Sequence, residues 1–519
     1  MFYLGYLILS LGVGLLLIIR RLFTGSLSKI PGPKLYACTS WRLAYDDWKG
    51  TRTRKIERLH AKYGPVVRIG PEEVSFNSLT ALKTIYGAGS GFERTSFYDM
   101  FDVYGRKNLF TFHSVKSHGD RKKLLAHAYS KSVMLKGYTA TLIQQKVHDY
   151  LGYIRGQKDC VDEIFSSLHY FALDAITKFL YADWGATACL TGNVNDRKLL
   201  NDIMDTSRRR LSWFAVHFPR VTKWLYSRTG LSEVVARQFY PMQKPTTYTG
   251  IRQHALDAWK KFQESTKFMA ASDTKLSIIE RLRDYHTSQM DGGLDDLDLA
   301  SEAADHLLAG IDTTSDSLMF LVWALARPCN QEYQEKLIRE VDQISESDLD
   351  ENGIPSVEAC DKLRYLDAIV KETLRLYAPL PASEPRAYPG LTIIDGYTIP
   401  ERTVVSMSPF SLHRNGHVFH EPLDFKPERW LTNDRNKLAE MKKWFWAFSS
   451  GGRMCIGLHL AMAEMTVLVA ALLRNFRVSI TPEMDKATPG ITSRFEVFHD
   501  VQLSQVKEHE CWIKFSPRK

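Results

Sequence analysis

The sequence predicts a mainly α-helical fold with small β-sheets (α+β), organised as one large domain. Three observations carry this expectation. Apolar stretches long enough for extended helices run over Leu294–Leu325 and Leu458–Phe476. Strand signals are short and bounded by turn residues, as at Val66–Ile69 and Val74–Phe76 around Gly70-Pro71, and again between Pro379 and Thr403. The 519 residues contain no Gly/Ser linker, internal repeat or low-complexity tract that would divide them, although length alone suggests about two to four domains.

The N-terminal end is set apart from this body. Residues 1–19 are apolar apart from Ser10 and the phenols of Tyr3 and Tyr6. A helix of that length rises roughly 28 Å, near the hydrocarbon thickness of a bilayer. Arg20 and Arg21 follow at once, whereas a cleaved secretory signal carries its positive charge before the apolar run and a small-residue cleavage site after it. The expected organisation is a single-pass transmembrane anchor over 1–21, a basic, proline-rich linker over 22–34, and a body over 35–519 placed in the cytoplasm by the positive-inside rule. The net charge of +9 is concentrated in part between Arg20 and Lys62, at Arg42, Lys49, Arg52, Arg54, Lys55 and Arg58. Beside an anchor, a solvated surface facing anionic lipid headgroups is a better use of that charge than nucleic acid. The seven cysteines are an odd, dispersed set, which fits reduced thiols on the cytosolic side.

Within the body, Val66–Phe76 is expected to form a hairpin. His118-Gly-Asp-Arg121-Lys122-Lys123 opens a helix running toward Tyr129; His118 and Lys122 can both donate hydrogen bonds to a carboxylate, while Arg121 and Lys123 are expected to face solvent. The aromatic-rich stretch from Leu211 to Met242 reads either as a helical roof over a pocket or as ordinary core. The long helix over Leu294–Leu325 contains Ala309-Gly310-Ile311-Asp312-Thr313-Thr314. Ala309 and Thr313, at i and i+4, share one face, and Gly310, costly mid-helix by about 1 kcal/mol, is expected to let the helix open locally. Taken alone, Asp312 is better explained as a solvated acid.

Glu372 and Arg375, at i and i+3, can pair on one helix face, and Pro427-Glu428-Arg429-Trp430 follows. Strands and turns then carry Arg386. The most informative stretch is Phe448-Ser-Ser-Gly451-Gly452-Arg453-Met454-Cys455-Ile456-Gly457. A lone cysteine is commonly a small buried hydrophobe. Here, glycines permit a tight turn and close approach of backbone N–H groups, and a helix begins directly after it with its positive dipole end toward the sulfur. A thiolate held in this way suits an axial ligand to haem iron.

With every fixed position of F-x-x-G-x-R-x-C-x-G filled, the chain resembles the cytochrome P450 family from about Pro31 to the C-terminus. The resemblance implies the P450 fold preceded by the N-terminal transmembrane helix, and haem b bound through the Cys455 thiolate. Phe448 and Gly457 complete the cysteine loop, and Ala309 and Gly310 face the haem. Arg386, Arg453, His118 and Lys122 are implied as partners of the propionates; the last two replace the family's Trp and Arg. Thr313 backed by Asp312 would deliver protons, and Glu372, Arg375 and Arg429 would form a buried structural triad. The implied activity is monooxygenation, hydroxylating a lipophilic small molecule with dioxygen. Electrons would come from NADPH through a separate NADPH-cytochrome P450 reductase, with cytochrome b5 as a further donor, at the endoplasmic reticulum membrane and with no nucleic acid involved. The style is that of fungal microsomal members acting in secondary metabolism. Phenol coupling, ring closure or desaturation use the same haem chemistry, and a non-catalytic haem-binding protein is the remaining class.

Overall fold

The structure is a computed structural model describing residues 19–201, 208–239, 250–266, 277–288 and 294–518, with Tyr3, Tyr6, 12–14 and Leu16 near the N-terminus. Helices dominate and the sheets are small, as the patterning predicts. The largest sheet has five strands: β1 (Val66–Gly70), β2 (Glu73–Phe76), β3 (Glu93–Arg94), β4 (Arg386–Ala387) and β5 (Val404–Ser406). Their spatial order is β1-β2-β5-β4-β3. The expected hairpin is its first pair, with Val66 opposite Phe76 and a register shift between Arg68 and Gly70. β5 then joins β2 in parallel, so a strand more than 300 residues later completes the sheet.

Five helices matter for the site: α1 (Val115–Leu125), α2 (Ile164–Tyr181), α3 (Asp296–Ala326), α4 (Arg364–Leu376) and α5 (Leu458–Asn475). α3 starts where Asp295 accepts from the Asp298 N–H and Asp298 reciprocates, a capping box that satisfies two orphan donors. Its C-terminal half is buried almost without interruption from Thr314 to Ala326, so it forms the spine of the core. α2 lies along it. At Gly310 the helices approach closely: a Cβ there would meet Ile176 Cγ1 at 2.7 Å. This corrects the expectation for Gly310. The helix does not open at this residue; the missing side chain lets α2 pack against α3.

α5 is apolar and buried through most of its length, from Ala463 to Leu473. Among the described residues it is the one helix long and apolar enough to cross a membrane, and it serves as a core helix. The anchor expected over 1–21 lies mostly outside the described residues. The linker over 22–34 docks on the body: Leu27 and Ile30 are buried, and Arg68 N–H donates to the Pro31 carbonyl at 2.8 Å. Arg52, read as part of a solvated basic surface, is instead buried between Asp47 at 3.0 Å and Glu73 at 2.5 Å. Of the aromatic stretch between 211 and 242, Trp213 and Phe214 meet Trp48 edge to face, and Phe218 lies tilted against Trp41; Tyr240 lies outside the described residues.

Candidate active site

The cysteine loop is built from below. In α4, Glu372 and Arg375 are fully buried. Arg375 donates to both Glu372 oxygens, from Nη2 at 2.8 Å and Nε at 2.9 Å. Arg429 Nε donates to the same carboxylate at 3.0 Å, and so do the Lys426 N–H at 2.9 Å and Trp430 Nε1 at 3.0 Å. One carboxylate thus gathers the expected triad, and the tryptophan N–H has its partner. The remaining Arg375 hydrogens go to the carbonyls of His413, Pro422 and Asp424. His413, which no sequence motif marks, carries the connection onward. Its Nδ1 donates to the Arg375 carbonyl at 3.1 Å, and its Nε2 accepts the Trp446 N–H at 2.8 Å. Burial, then the charge of Arg375, pushes this imidazole down to about 3, so it stays neutral.

Trp446 leads into the loop. Its Nε1 donates to Ser450 Oγ at 3.0 Å, and that hydroxyl donates to the Tyr86 carbonyl at 3.1 Å. At Gly451, φ is +62° and a Cβ would lie 2.4 Å from the Tyr86 oxygen; only glycine fits against that backbone. The Cys455 N–H returns to the Phe448 carbonyl at 2.9 Å. The Gly457 and Leu458 backbone groups, where α5 begins, lie beside the Cys455 sulfur and favour its charged form. Cys455 has accessible surface, although protein atoms crowd around its sulfur. Burial raises its pKa, and the Gly457 and Leu458 N–H groups and Lys122 work the other way.

Beside the loop sit five basic side chains. Arg453 donates to the carbonyls of Phe112, His113 and Ser114 at 2.7–3.0 Å. Arg386 donates to Tyr98 Oη at 2.7 Å and pairs with Glu384 at 3.2 Å. Lys122 donates to the Gly452 and Met454 carbonyls at 3.0 and 2.8 Å, holding the cysteine loop directly. His118 is buried; burial, then Arg453, Arg94, Lys122 and Arg386, push it down to about 2. The fifth, Arg94, escaped the sequence reading because Phe92-Glu93-Arg94-Thr95 has no distinctive spacing. It is buried on β3, lies over the Tyr98 and Phe110 rings and donates to the Phe110 carbonyl, but its Nε has no partner. Burial, followed by mutual repulsion with Arg386, pushes Arg94 below the usual guanidinium range; burial, then Arg94 and Arg386, does the same to Arg453. For Arg386, burial is outweighed by Tyr98, Glu384 and Tyr86, which hold it charged. Glu384 is the one carboxylate that pairs within this group. Crowded, desolvated cations with an unused N–H call for an anionic ligand.

On α3, Ala309 is exposed although Leu307 and Ile311 beside it are fully buried. Thr313 donates its hydroxyl hydrogen to the Ala309 carbonyl at 2.7 Å, placing the pair on one face as their spacing requires. Glu464 of α5 is buried near Thr314, one residue on; burial pushes its carboxyl up to about 8, with Thr314 opposing. Asp312 does not turn toward Thr313: its Oδ1 faces His169 of α2 at 3.8 Å. Arg121 corrects another expectation. It is buried and ion-paired with Glu302 of α3, whose other oxygen accepts the Leu109 N–H at 3.2 Å and lies 3.2 Å from His306 Nε2. Tyr129 Oη is 2.6 Å from the second His306 nitrogen. Lys123 is exposed, as expected.

Comparison with known proteins fits this geometry. The family model described as Cytochrome P450 matches residues 31–499. The cytochrome P450 monooxygenase stcB of Emericella nidulans is 29% identical, over 88% of this chain and 83% of its own. Another, aflV of Aspergillus parasiticus, is 29% identical over 90% and 89%, and tazI of Aspergillus terreus is 28% identical over 95% of each chain.

Proposed function

This chain belongs to the cytochrome P450 family and is a P450 monooxygenase, and from that premise we propose that it oxidises a lipophilic small molecule in a fungal secondary-metabolite pathway, with Cys455 as the axial ligand of its haem. The observation that carries the ligand assignment is the Cys455 sulfur, met by the Gly457 and Leu458 N–H groups where α5 begins. The family implies a haem-thiolate cofactor, and the residues present fit one. A haem brings two carboxylates into the protein interior, and the desolvated Arg94, Arg386, Arg453 and Lys122 around a neutral His118 leave an unpartnered Arg94 Nε to receive them.

When bound, the haem supplies the reductive activation of dioxygen and transfer of one oxygen atom to carbon. The protein does the rest. The N–H groups of Gly457 and Leu458 stabilise negative charge on the sulfur. Arg94, Arg386, Arg453 and His118 are the propionate partners, and Lys122 fixes the cysteine loop through its carbonyls. The Glu372–Arg375–Arg429 triad and His413 set the height of that loop from beneath. Ala309 leaves room beside the reacting centre, and Thr313 holds a proton that it passes on; Asp312, whose Oδ1 faces His169 at 3.8 Å, backs Thr313 only after turning away from α2.

Members of the family rely on a redox partner; here that partner is read as NADPH-cytochrome P450 reductase, with cytochrome b5 as a second donor, at the endoplasmic reticulum. The apolar residues 1–19 support a membrane anchor. An exposed apolar surface adds to it: Trp41 and Tyr45 on the helix Trp41–Trp48, Val221 and Trp224 on Pro219–Tyr226, and Val234 and Val235 on Leu231–Phe239. Such a patch suits the interface of a bilayer. The test is an untargeted metabolite comparison of cells with and without the protein, grown under heavy-isotope dioxygen. A lipophilic product carrying one labelled oxygen is expected; a difference confined to unlabelled metabolites contradicts the proposal.

A further inference from the structure

One accessible stripe runs along the otherwise buried helix α3. Ala309 and Thr313 lie on it, and one turn before them comes Asp305, four residues ahead of Ala309. Asp305 keeps accessible surface, while Ala303, Ala304, His306 and Leu307 around it are buried. Its carboxyl therefore shares the face that borders the reacting centre. The polar groups next to it are satisfied within the protein. Glu302 is ion-paired with Arg121 and accepts the Leu109 N–H, and His306 lies between Glu302 and the Tyr129 hydroxyl. Asp305 differs. One of its oxygens lies within 4.8 Å of a Glu302 oxygen and a His306 nitrogen, yet among the described residues no side chain ion-pairs with it.

The surroundings suit an apolar ligand that carries one polar group. The Phe110 N–H lies beside the Asp305 carboxyl and favours its charged form. The Phe110 ring meets Tyr98 and Phe101 edge to face, each at a centroid distance of 5.3 Å, and Phe101 keeps an exposed side. Burial raises the Asp305 carboxyl to about 7; His306 opposes this, Glu302 adds to it, and Arg94 opposes. A desolvated carboxylate short of partners gains from a ligand that donates a hydrogen bond to it. Arg94 already acts on it as a positive charge, so a neutral O–H fits this place better than an ammonium.

Four residues of α-helix span ~6 Å, which sets a spacing between Asp305 and the position beside Ala309. We propose that Asp305 is the polar anchor for the substrate: it accepts a hydrogen bond from an alcohol or phenol O–H on an otherwise apolar molecule, at least one helical turn from the atom that is oxidised. This rests on the reading of Ala309 and Thr313 as lining the reacting centre. An analogue without the O–H leaves the carboxylate desolvated and unpaired, so the site selects against it. Asp305 positions the substrate and takes no part in oxygen transfer. Its meaning for this chain is a substrate class, hydroxylated and apolar, rather than a bare hydrocarbon.

The probes are 1-alkylimidazoles of graded chain length, each beside its partner with a terminal hydroxyl. The imidazole nitrogen binds the haem iron and moves the Soret band, so the holoprotein reports affinity directly while the free end of the chain searches the face of α3. The native protein is compared with Asp305→Leu, which removes the acceptor at similar volume, and with Asp305→Asn, which removes the charge. At one chain length the native protein should favour the hydroxyl-ended probe over its alkyl partner roughly tenfold more than D305L does. D305N should fall between them. Alkyl probes should bind D305L at least as well as native. If the native protein shows no such preference at any length, or D305L keeps it, the proposal is overturned while the haem reading stands, since the band still moves. An ammonium-ended chain that binds native more tightly than the hydroxyl-ended one overturns the assignment of an O–H donor. No band shift with any imidazole removes the haem reading and the proposal with it. Should D305L fail to fold, a D305N protein with the native preference overturns the proposal, and one with a several-fold smaller preference supports it.

Discussion

The Thr313 hydroxyl gives its hydrogen to the Ala309 carbonyl at 2.7 Å, which leaves its oxygen lone pairs to accept from the accessible side of α3. Removing the oxygen should leave haem binding untouched, because nothing in the cysteine loop rests on it. Thr313→Ala is therefore expected to retain the native absorption spectrum while releasing a several-fold larger share of its NADPH equivalents as hydrogen peroxide, read by parallel NADPH and peroxide assays. Unchanged peroxide release would remove Thr313 from proton delivery. At this scale, sequence spacing was a good guide where the chemistry is local. Thr313 with Ala309, and the donors to Cys455, follow from i, i+4 geometry and from a helix starting after a glycine turn. It failed where burial depends on a distant element. Arg121 was expected in solvent and is sealed against Glu302 of α3, and Arg94 is set opposite Arg386 by strand pairing across nearly 300 residues.

Among the elements, α4 and α5 carry the loop. Glu372 accepts five hydrogen bonds from Arg375, Arg429, Lys426 and Trp430. Glu372→Gln leaves two guanidinium groups short of their counter-ion, and breaking a buried pair in this way costs about 3–5 kcal/mol. The variant should unfold at lower denaturant and lose haem more readily on dilution, both measurable on purified protein; native stability would contradict the assigned support. Glu464, buried on α5 near Thr314 of α3, makes a pH-dependent prediction. Burial raises its pKa from 4.5 to about 8 in the folded chain, so between those values the folded state holds a proton that the unfolded state has lost. Its contribution to stability is thus full below pH 4.5 and declines by up to about 1.4 kcal/mol per pH unit as pH rises toward 8. Glu464→Gln removes this decline, so the gap in melting temperature between variant and native should move in the variant's favour from pH 5 to pH 8. The Glu-x-x-Arg spacing made the triad legible in the sequence. Glu464 and His413 were not, because a single polar residue on an apolar helix or in a turn acquires its meaning only from what packs over it.

Among the described residues, the molecule combines a cysteine loop beside buried basic side chains with exposed apolar side chains on the helices Trp41–Trp48, Pro219–Tyr226 and Leu231–Phe239. Helices were legible from apolar length, and the small sheets from their turns, yet the pairing of β2 with β5 across most of the chain was not, since nothing local encodes a partner that distant. The exposed Trp41 and Trp224 belong to this scale. In vesicles carrying bromine-labelled lipids, their fluorescence should be quenched, and the Trp41→Phe/Trp224→Phe double variant should lose most of that quenching; equal quenching in the variant would place this surface in water. The central claim, that Cys455 is the thiolate ligand of a haem, is tested most directly by the absorption spectrum of the reduced protein under carbon monoxide. The native chain should show the red-shifted Soret band of a thiolate-bound haem, and Cys455→Ser should lose it while the protein remains folded. A Cys455→Ser protein that keeps that band would contradict the assignment.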